Sequence, residues 1–312
     1  MRHVALVALV VLPACAPVPE SGADPTFESW WQDGKAELDG YRLEITRYGE
    51  PRAGEGVMIF VTEPFSESKR VKVDDPSRDP ADTFEALKLN LVRDFQTGIY
   101  DYNTMVSVFT RSSDFDPVKI TFTSAEWCGQ VYDELIFGEA GVDGRTFSYF
   151  DGETGDWRLE RPAGGVSEDN LYVMLRGLRR PFLEPGHKQR FPFLPSTFAG
   201  RLTHVPLEWQ SAEIERASRT SEVTVPAGTF AVTEYVVRAP GRVGRFSIEA
   251  AYPHRIVRWS WEAGARDAGG ARRPAVVERG SLTGTARLAY WTLNGNGAES
   301  YREKLGLSPV RR

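Results

Sequence analysis

Sulfur and imidazole are scarce in this chain. Its 312 residues include two cysteines, four histidines and four methionines. Cys15 and Cys128 are the only thiols, so a disulfide would need both of them. The histidines His3, His187, His204 and His254 stand far apart, without the spacing of a zinc site, and neither a metal nor a cofactor is expected. Asp74-Asp75 and Asp114 with Asp116 supply carboxylates, but no EF-hand loop surrounds them, and they read as solvated loops. No Gly-x-Ser-x-Gly elbow is present, which removes that serine-hydrolase geometry. Gly54 with Gly56 and Gly295 with Gly297 lack the rest of a dinucleotide or phosphate-loop pattern and read as turns. There is no basic block: 38 Lys and Arg are interspersed with 43 Asp and Glu, for a net charge of -5. That balance argues against nucleic-acid binding. Beyond Cys15, no apolar run is long enough to cross a bilayer.

Strand patterning is what the chain has in quantity. Hydrophobic residues make up 41% and aromatics 12%. Apolar and polar residues alternate through Tyr41 to Thr46, through Leu87 to Leu91 and through Ile120 to Thr123, as in half-buried strands. Asp39-Gly40 reads as a turn after a short strand over Lys35 to Leu38, and Val57 to Thr62 as a strand buried on both faces. Further strands are expected over Val131 to Phe137, Thr146 to Phe150 and Trp157 to Glu160. One internal helix is expected, capped by Ser167, with Glu168 and Asp169 in its first turn. Leu171, Met174, Leu175 and Leu178 follow at helical spacing, and Pro181 ends it. Pro181 to Pro195, with four prolines and several aromatics, reads as an ordered connection between two β-rich halves. Strands resume from Glu222, residues 263 to 274 read as a hairpin loop, and a short helix over Ala298 to Leu305 ends at Gly306. The expected fold is mainly β: a large curved antiparallel sheet or open half-barrel with a few short helices.

Residues 1 to 14 have the shape of a signal peptide, with Arg2 before the short apolar run Val4 to Leu12. Leu12-Pro13-Ala14-Cys15 resembles a bacterial lipobox, with Pro13 departing from its usual pattern. The resemblance implies an envelope lipoprotein whose Cys15 carries a diacylglyceryl thioether and a palmitate-type N-acyl chain. Ala16, in place of an Asp, favours the outer membrane. Residues 15 to 26 then form a lipidated tether, 27 to 165 a β-rich first half and 166 to 195 the helix and Pro-rich connection. Residues 196 to 312 form a β-rich second half continuous with the first.

In the second half, Val225-Pro226-Ala227-Gly228-Thr229-Phe230 and Tyr252-Pro253-His254-Arg255-Ile256-Val257 resemble periplasmic and lipoprotein domains of the LolA/LolB carrier class. That class implies a curved sheet closed by helices over a hydrophobic cavity. Phe60 to Glu63 and Glu126 to Gln130 resemble uncharacterised envelope proteins, some labelled septum formation inhibitors of the Maf pyrophosphatase kind. No Maf nucleotide-binding motif is present.

Three functional expectations follow. The first is binding or carriage of a hydrophobic ligand, a lipid or acyl chain. Trp259 and Trp261, two apart on a strand and so on one face, more commonly fill a β core; they are offered here as candidate cavity wall. The second is an assembly role toward an envelope protein partner, with a filled core and an exposed apolar patch. The third is an enzyme using Cys128 or a carboxylate pair. Glu126, Trp127, Cys128 and Gln130 form the most unusual cluster and complete the candidate site; no catalytic residue is assigned. Trp30-Trp31, next to the tether, is offered as a contact with the membrane interface.

Overall fold

The computed structural model describes residues 26–266 and 272–308. The expected signal peptide, Cys15 and most of the tether lie outside them. A short helix, α1 (Phe27–Trp31), is followed by eight strands in succession: β1 (Ala36–Arg47), β2 (Glu50–Ser66), β3 (Thr83–Thr97), β4 (Tyr100–Arg111), β5 (Pro117–Glu126), β6 (Gly129–Phe137), β7 (Gly141–Ser148) and β8 (Gly155–Glu160). A two-residue strand β9 (Val166–Ser167) leads into α2 (Glu168–Met174), then β10 (Lys188–Leu194) and α3 (Thr197–Thr203). The chain closes with β11 (Gln210–Arg216), β12 (Ser221–Val225), β13 (Gly228–Ala239), β14 (Arg242–Glu249), β15 (Ile256–Arg266) and β16 (Arg272–Leu288).

All sixteen strands belong to one open sheet, in the order β8 to β1, then β16, β15, β14, β13, β11, β10 and β9, with β12 paired to β13. Strands β1 to β8 form a meander, and β1 joins β16 antiparallel, with Ala36 opposite Leu288. The sheet curls. Tyr172 of α2 packs on Phe246 of β14 at 5.6 Å and Trp259 of β15 at 5.7 Å, while Asn170 donates to the Phe115 carbonyl between β4 and β5. Laid flat, β4 and β14 would stand ~29 Å apart at the usual strand spacing. A seven-residue helix reaches both because the sheet wraps round it. Arg93 on β3 confirms the curl, since its Nε donates to Glu278 Oε1 on β16 at 2.6 Å across three strand steps.

The interior is therefore filled. Residues 168 to 173 of α2 are all buried, and the inward side chains of both wings join them in a single core, from Tyr41, Phe60 and Leu89 to Phe122, Phe246 and Trp261. Three indoles lie across glycines of the next strand: Trp157 over Gly144, Trp261 over Gly244 and Trp259 over Gly280. A Cβ at any of these glycines would overlap the ring, which is the physical reason for glycine within a strand.

The sheet matches the expected fold class, but several local expectations need correction. Asp39-Gly40 is not a turn, because β1 runs straight through it with a bulge at Gly40/Tyr41 against β16. Gly40 is needed there for packing, since the Leu305 backbone occupies the space a Cβ would fill. Val57 and Ile59 are only half-buried, under a small cluster formed with Leu305 and Leu307, whereas Met58 and Phe60 face the core. The predicted helix is shorter, ending at Met174, and the Ser167 side chain makes no cap hydrogen bond. Its first-turn acids serve α3 instead. Glu168 accepts from the Ser196 N–H, and Asp169 accepts from the Thr197 N–H and hydroxyl, each at 2.9 Å. The Pro181 to Pro195 connection contains β10, in which Pro192 is tolerated close to the sheet edge. The 3-10 helix Ala298–Leu305 and its left-handed Gly306 cap stand where expected.

Of the Trp30-Trp31 pair, Trp30 is half-buried and Trp31 does not face outward. Trp31 is buried against Phe60, its Nε1 donating to the Tyr252 hydroxyl at 3.0 Å, and α1 closes one end of the curled sheet. Beneath it, Arg176 donates to Glu37 at 2.6 Å and to the Pro253 carbonyl at 2.8 Å, with both ionic side chains sealed from solvent. Asp39 stands nearby, 4.0 Å from the Arg255 guanidinium.

Burial, reinforced by Glu37, pushes the Asp39 carboxyl up to about 7 against the pull of Arg176, Thr285 and Arg255. Burial likewise takes Glu168 to about 7 despite Arg242. Both acids hold a proton in the fold at a pH where the unfolded chain has lost it. Their stabilising share is therefore complete below about pH 4 and disappears as pH rises through 7. The urea midpoint is expected to fall between pH 5 and pH 8, with a shallower slope in Asp39→Asn. An equal slope in variant and parent would contradict this assignment.

Candidate ligand cavity

The two end strands of the sheet's main path, β8 and β9, follow each other in sequence, joined by residues 161–165. That segment keeps the edges within about 22 Å of each other, since six residue steps span no more. Beside this seam, between β6–β8 and α3, lies a cavity of about 760 Å³, within the ordinary range for a small-molecule site. One wall is sheet: Val131 and Asp133 on β6, Thr146 on β7, and Trp157 and Leu159 on β8. The other is α3 with the segment from His204 to Glu208, and the β7–β8 turn forms the rim.

Trp157 is held flat by Gly144 and by its Nε1 donating to Thr146 Oγ1 at 3.3 Å. The α3 wall is fixed by a chain of polar contacts. Arg201 pairs with Glu126, both side chains nearly sealed, and its Nη1 lies 3.1 Å from His204 Nε2. His204 Nδ1 lies 2.6 Å from Glu153 Oε1, and Glu153 Oε2 accepts from the Ser148 hydroxyl at 2.6 Å. A guanidinium only donates, so Nε2 is the accepting nitrogen and the ring proton sits on Nδ1. Against a desolvation that would raise it, the His204 and Ser148 hydrogen bonds hold the Glu153 carboxyl below its ordinary range. His204 caps α3 in the left-handed region, at φ 56°, where an imidazole costs more than glycine. Its side chain, stacked edge-on to Phe150 at 5.1 Å, is what the position keeps.

The sequence-derived site residues separate. Glu126 reaches the cavity wall through Arg201. Trp127 and Cys128 are exposed at the tip of the β5–β6 hairpin, and Gln130 is exposed at the start of β6. Trp259 and Trp261, at 0% and 2% exposure, belong to the packed interior and line neither cavity. Asp133, Glu153, Trp157, Arg201 and His204 were not singled out as a group. The Arg201–Glu126 contact spans 75 residues, and nothing local announces it. Among the described residues, no group of three or more His, Cys, Asp or Glu side chains is arranged to hold a metal ion.

A second cavity, of about 480 Å³, opens under α1 at the far end, beside Arg179, Arg216, Tyr235, Tyr252 and His254. The hairpin tips at the seam cavity's end carry exposed Tyr48, Ile99, Trp127 and Tyr149, with Val205 beside them.

The fold and site define a β-rich, barrel-like protein with a plugged interior and a lateral cavity. No family model and no curated protein sequence matches the chain. Among solved structures it is similar to a β-barrel-like protein of Domain of Unknown Function DUF1849 from Brucella abortus, at 9% identity and a TM-score of 0.44. That match covers 81% of this chain and 98% of the other.

Proposed function

We propose that this protein binds a hydrophobic small molecule, a lipid or acyl chain, in the seam cavity. The observation that carries the reading is the cavity's apolar lining, Val131, Trp157 and Leu159 on the sheet wall and Leu207 opposite, beside an interior already filled by α2. A carrier of the expected kind would hold its ligand centrally; here the space for one lies at the edge of the sheet. The reading includes an envelope location, with the chain lipid-anchored through Cys15 in the outer membrane.

Mass spectrometry of the full chain from a bacterial host tests both parts. Under native conditions a co-purified hydrophobic molecule is expected, and Leu159→Asp should lose at least ~90% of it, since a charge in an apolar wall must be desolvated to admit the ligand. Under denaturing conditions the mass should show a cleaved, acylated Cys15. Equal ligand in parent and variant would sink the cavity assignment, and an unmodified N-terminus would sink the anchor.

A second reading, docking to an envelope protein, draws on the exposed Tyr48, Ile99, Trp127 and Tyr149 at the hairpin tips. Aromatic residues of this kind are enriched where proteins meet. In-cell crosslinking from the β5–β6 tip that recovered no protein would count against it.

A further inference from the structure

We infer that the seam cavity selects an amphiphile with a cationic head, an alkylammonium rather than a fatty acid. The inference rests on the ligand-binding reading above and concerns the sign of the ligand's polar end.

Five carboxylates line the cavity: Asp133, Asp151, Glu153, Asp156 and Glu208. Their opposing charges are few. The one lining guanidinium, Arg201, is already engaged by Glu126, which lies behind the wall. Asp156 is answered from outside by Arg145 at 2.7 Å, and Glu153 accepts a hydrogen bond from His204 Nδ1. Asp133, Asp151 and Glu208 form no ion pair among the described residues. The cavity lining therefore sets unpaired carboxylates among apolar side chains.

Asp133 carries the most weight. It points inward from β6, opposite Thr146 on β7 and Phe122 on β5, in a row of inward apolar residues with Val131 and Leu135. A strand position of that kind normally takes an aliphatic side chain. Burial, with the like charges of Glu153 and Asp169, holds the carboxyl above its ordinary range despite the Thr146 hydrogen bond and the pull of the Arg201 guanidinium. A carboxylate in this condition gains from a cation placed in the cavity and repels an anion. Trp157 adds a flat indole on the same wall, and indole is the strongest of the side-chain faces for an ammonium or alkylammonium group. Fatty acids and phosphate-headed lipids would bring a second negative charge to Asp133 and find no free guanidinium on the cavity wall.

The test compares three probes of equal chain length, decylammonium, decanol and decanoate, by calorimetric titration of the purified chain at constant salt. Decylammonium is expected to bind at least ~10-fold more tightly than decanoate, with decanol between them. Asp133→Asn should remove most of that preference while leaving decanol unchanged, and Glu208→Gln, an exposed position, should reduce it partially. Equal affinities for all three probes would overturn the head-group inference and leave the hydrophobic cavity standing. A preference for decanoate would do the same. Failure of every probe to bind would overturn both.

Discussion

Arg176→Ala is expected to destabilise the protein by about 3–5 kcal/mol, the usual cost of removing one partner from a sealed ion pair. Its guanidinium donates to Glu37 at 2.6 Å, to the Pro253 carbonyl at 2.8 Å and to the His254 carbonyl at 3.1 Å, and it lies over the Phe60 ring at 4.2 Å. Removing it leaves the buried Glu37 without its cation and takes a donor from the Pro253 and His254 carbonyls, next to the buried Asp39. A urea melt followed by tryptophan fluorescence reads the loss. The double variant Arg176→Met with Glu37→Gln should recover much of it, because the penalty comes from the orphaned charge more than from the lost attraction. A loss below about 1 kcal/mol would mean that α2 is not pinned to β1 as described.

Gly280→Val is expected to cost about 3 kcal/mol or more, at the upper end for overpacking. The Trp259 ring occupies the place of the new side chain. It cannot retreat, because Tyr41 stands at 4.8 Å on one side and Tyr172 at 5.7 Å on another, and no part of it is exposed. Gly264→Ala, on the neighbouring strand, is the control. Its Cβ would meet nothing within 4 Å, so its effect should stay within about 0.5 kcal/mol. Similar thermal midpoints for the two variants would contradict the flat indole packing on which the wall at Trp157 and Gly144 also depends.

Much of the sheet was legible because alternation is a local signal. Tyr41 to Ile45, Leu87 to Leu91 and Ile120 to Phe122 each place their apolar residues on the core face, as the pattern requires. The buried helix was legible from Leu171 and the acids before it, although the acids cap α3 rather than their own helix. The curl was not legible, because it depends on which strands meet α2, and those contacts lie far apart in sequence. For the same reason the sequence left Trp259 and Trp261 between β core, which the structure shows, and cavity wall. Period-two spacing puts both on one face, but only the opposing Gly280 and Gly244 and the presence of α2 show that this face is filled. The cavity itself was hidden most completely. It lies between the β6–β8 wing and α3, and its polar wall joins Glu153, Arg201 and His204, none of which has a distinctive neighbour in the chain, while Glu126 behind it stood out only for its neighbours Trp127 and Cys128.

The most direct test is a crystal structure of the protein grown with an alkylammonium bearing a terminal bromine, located by its anomalous signal. The bromine is expected in the seam beside Trp157 and Leu159, with the ammonium toward Asp133. A bromine peak within the curled sheet against α2, or only on the exposed hairpin tips around Trp127, would contradict it.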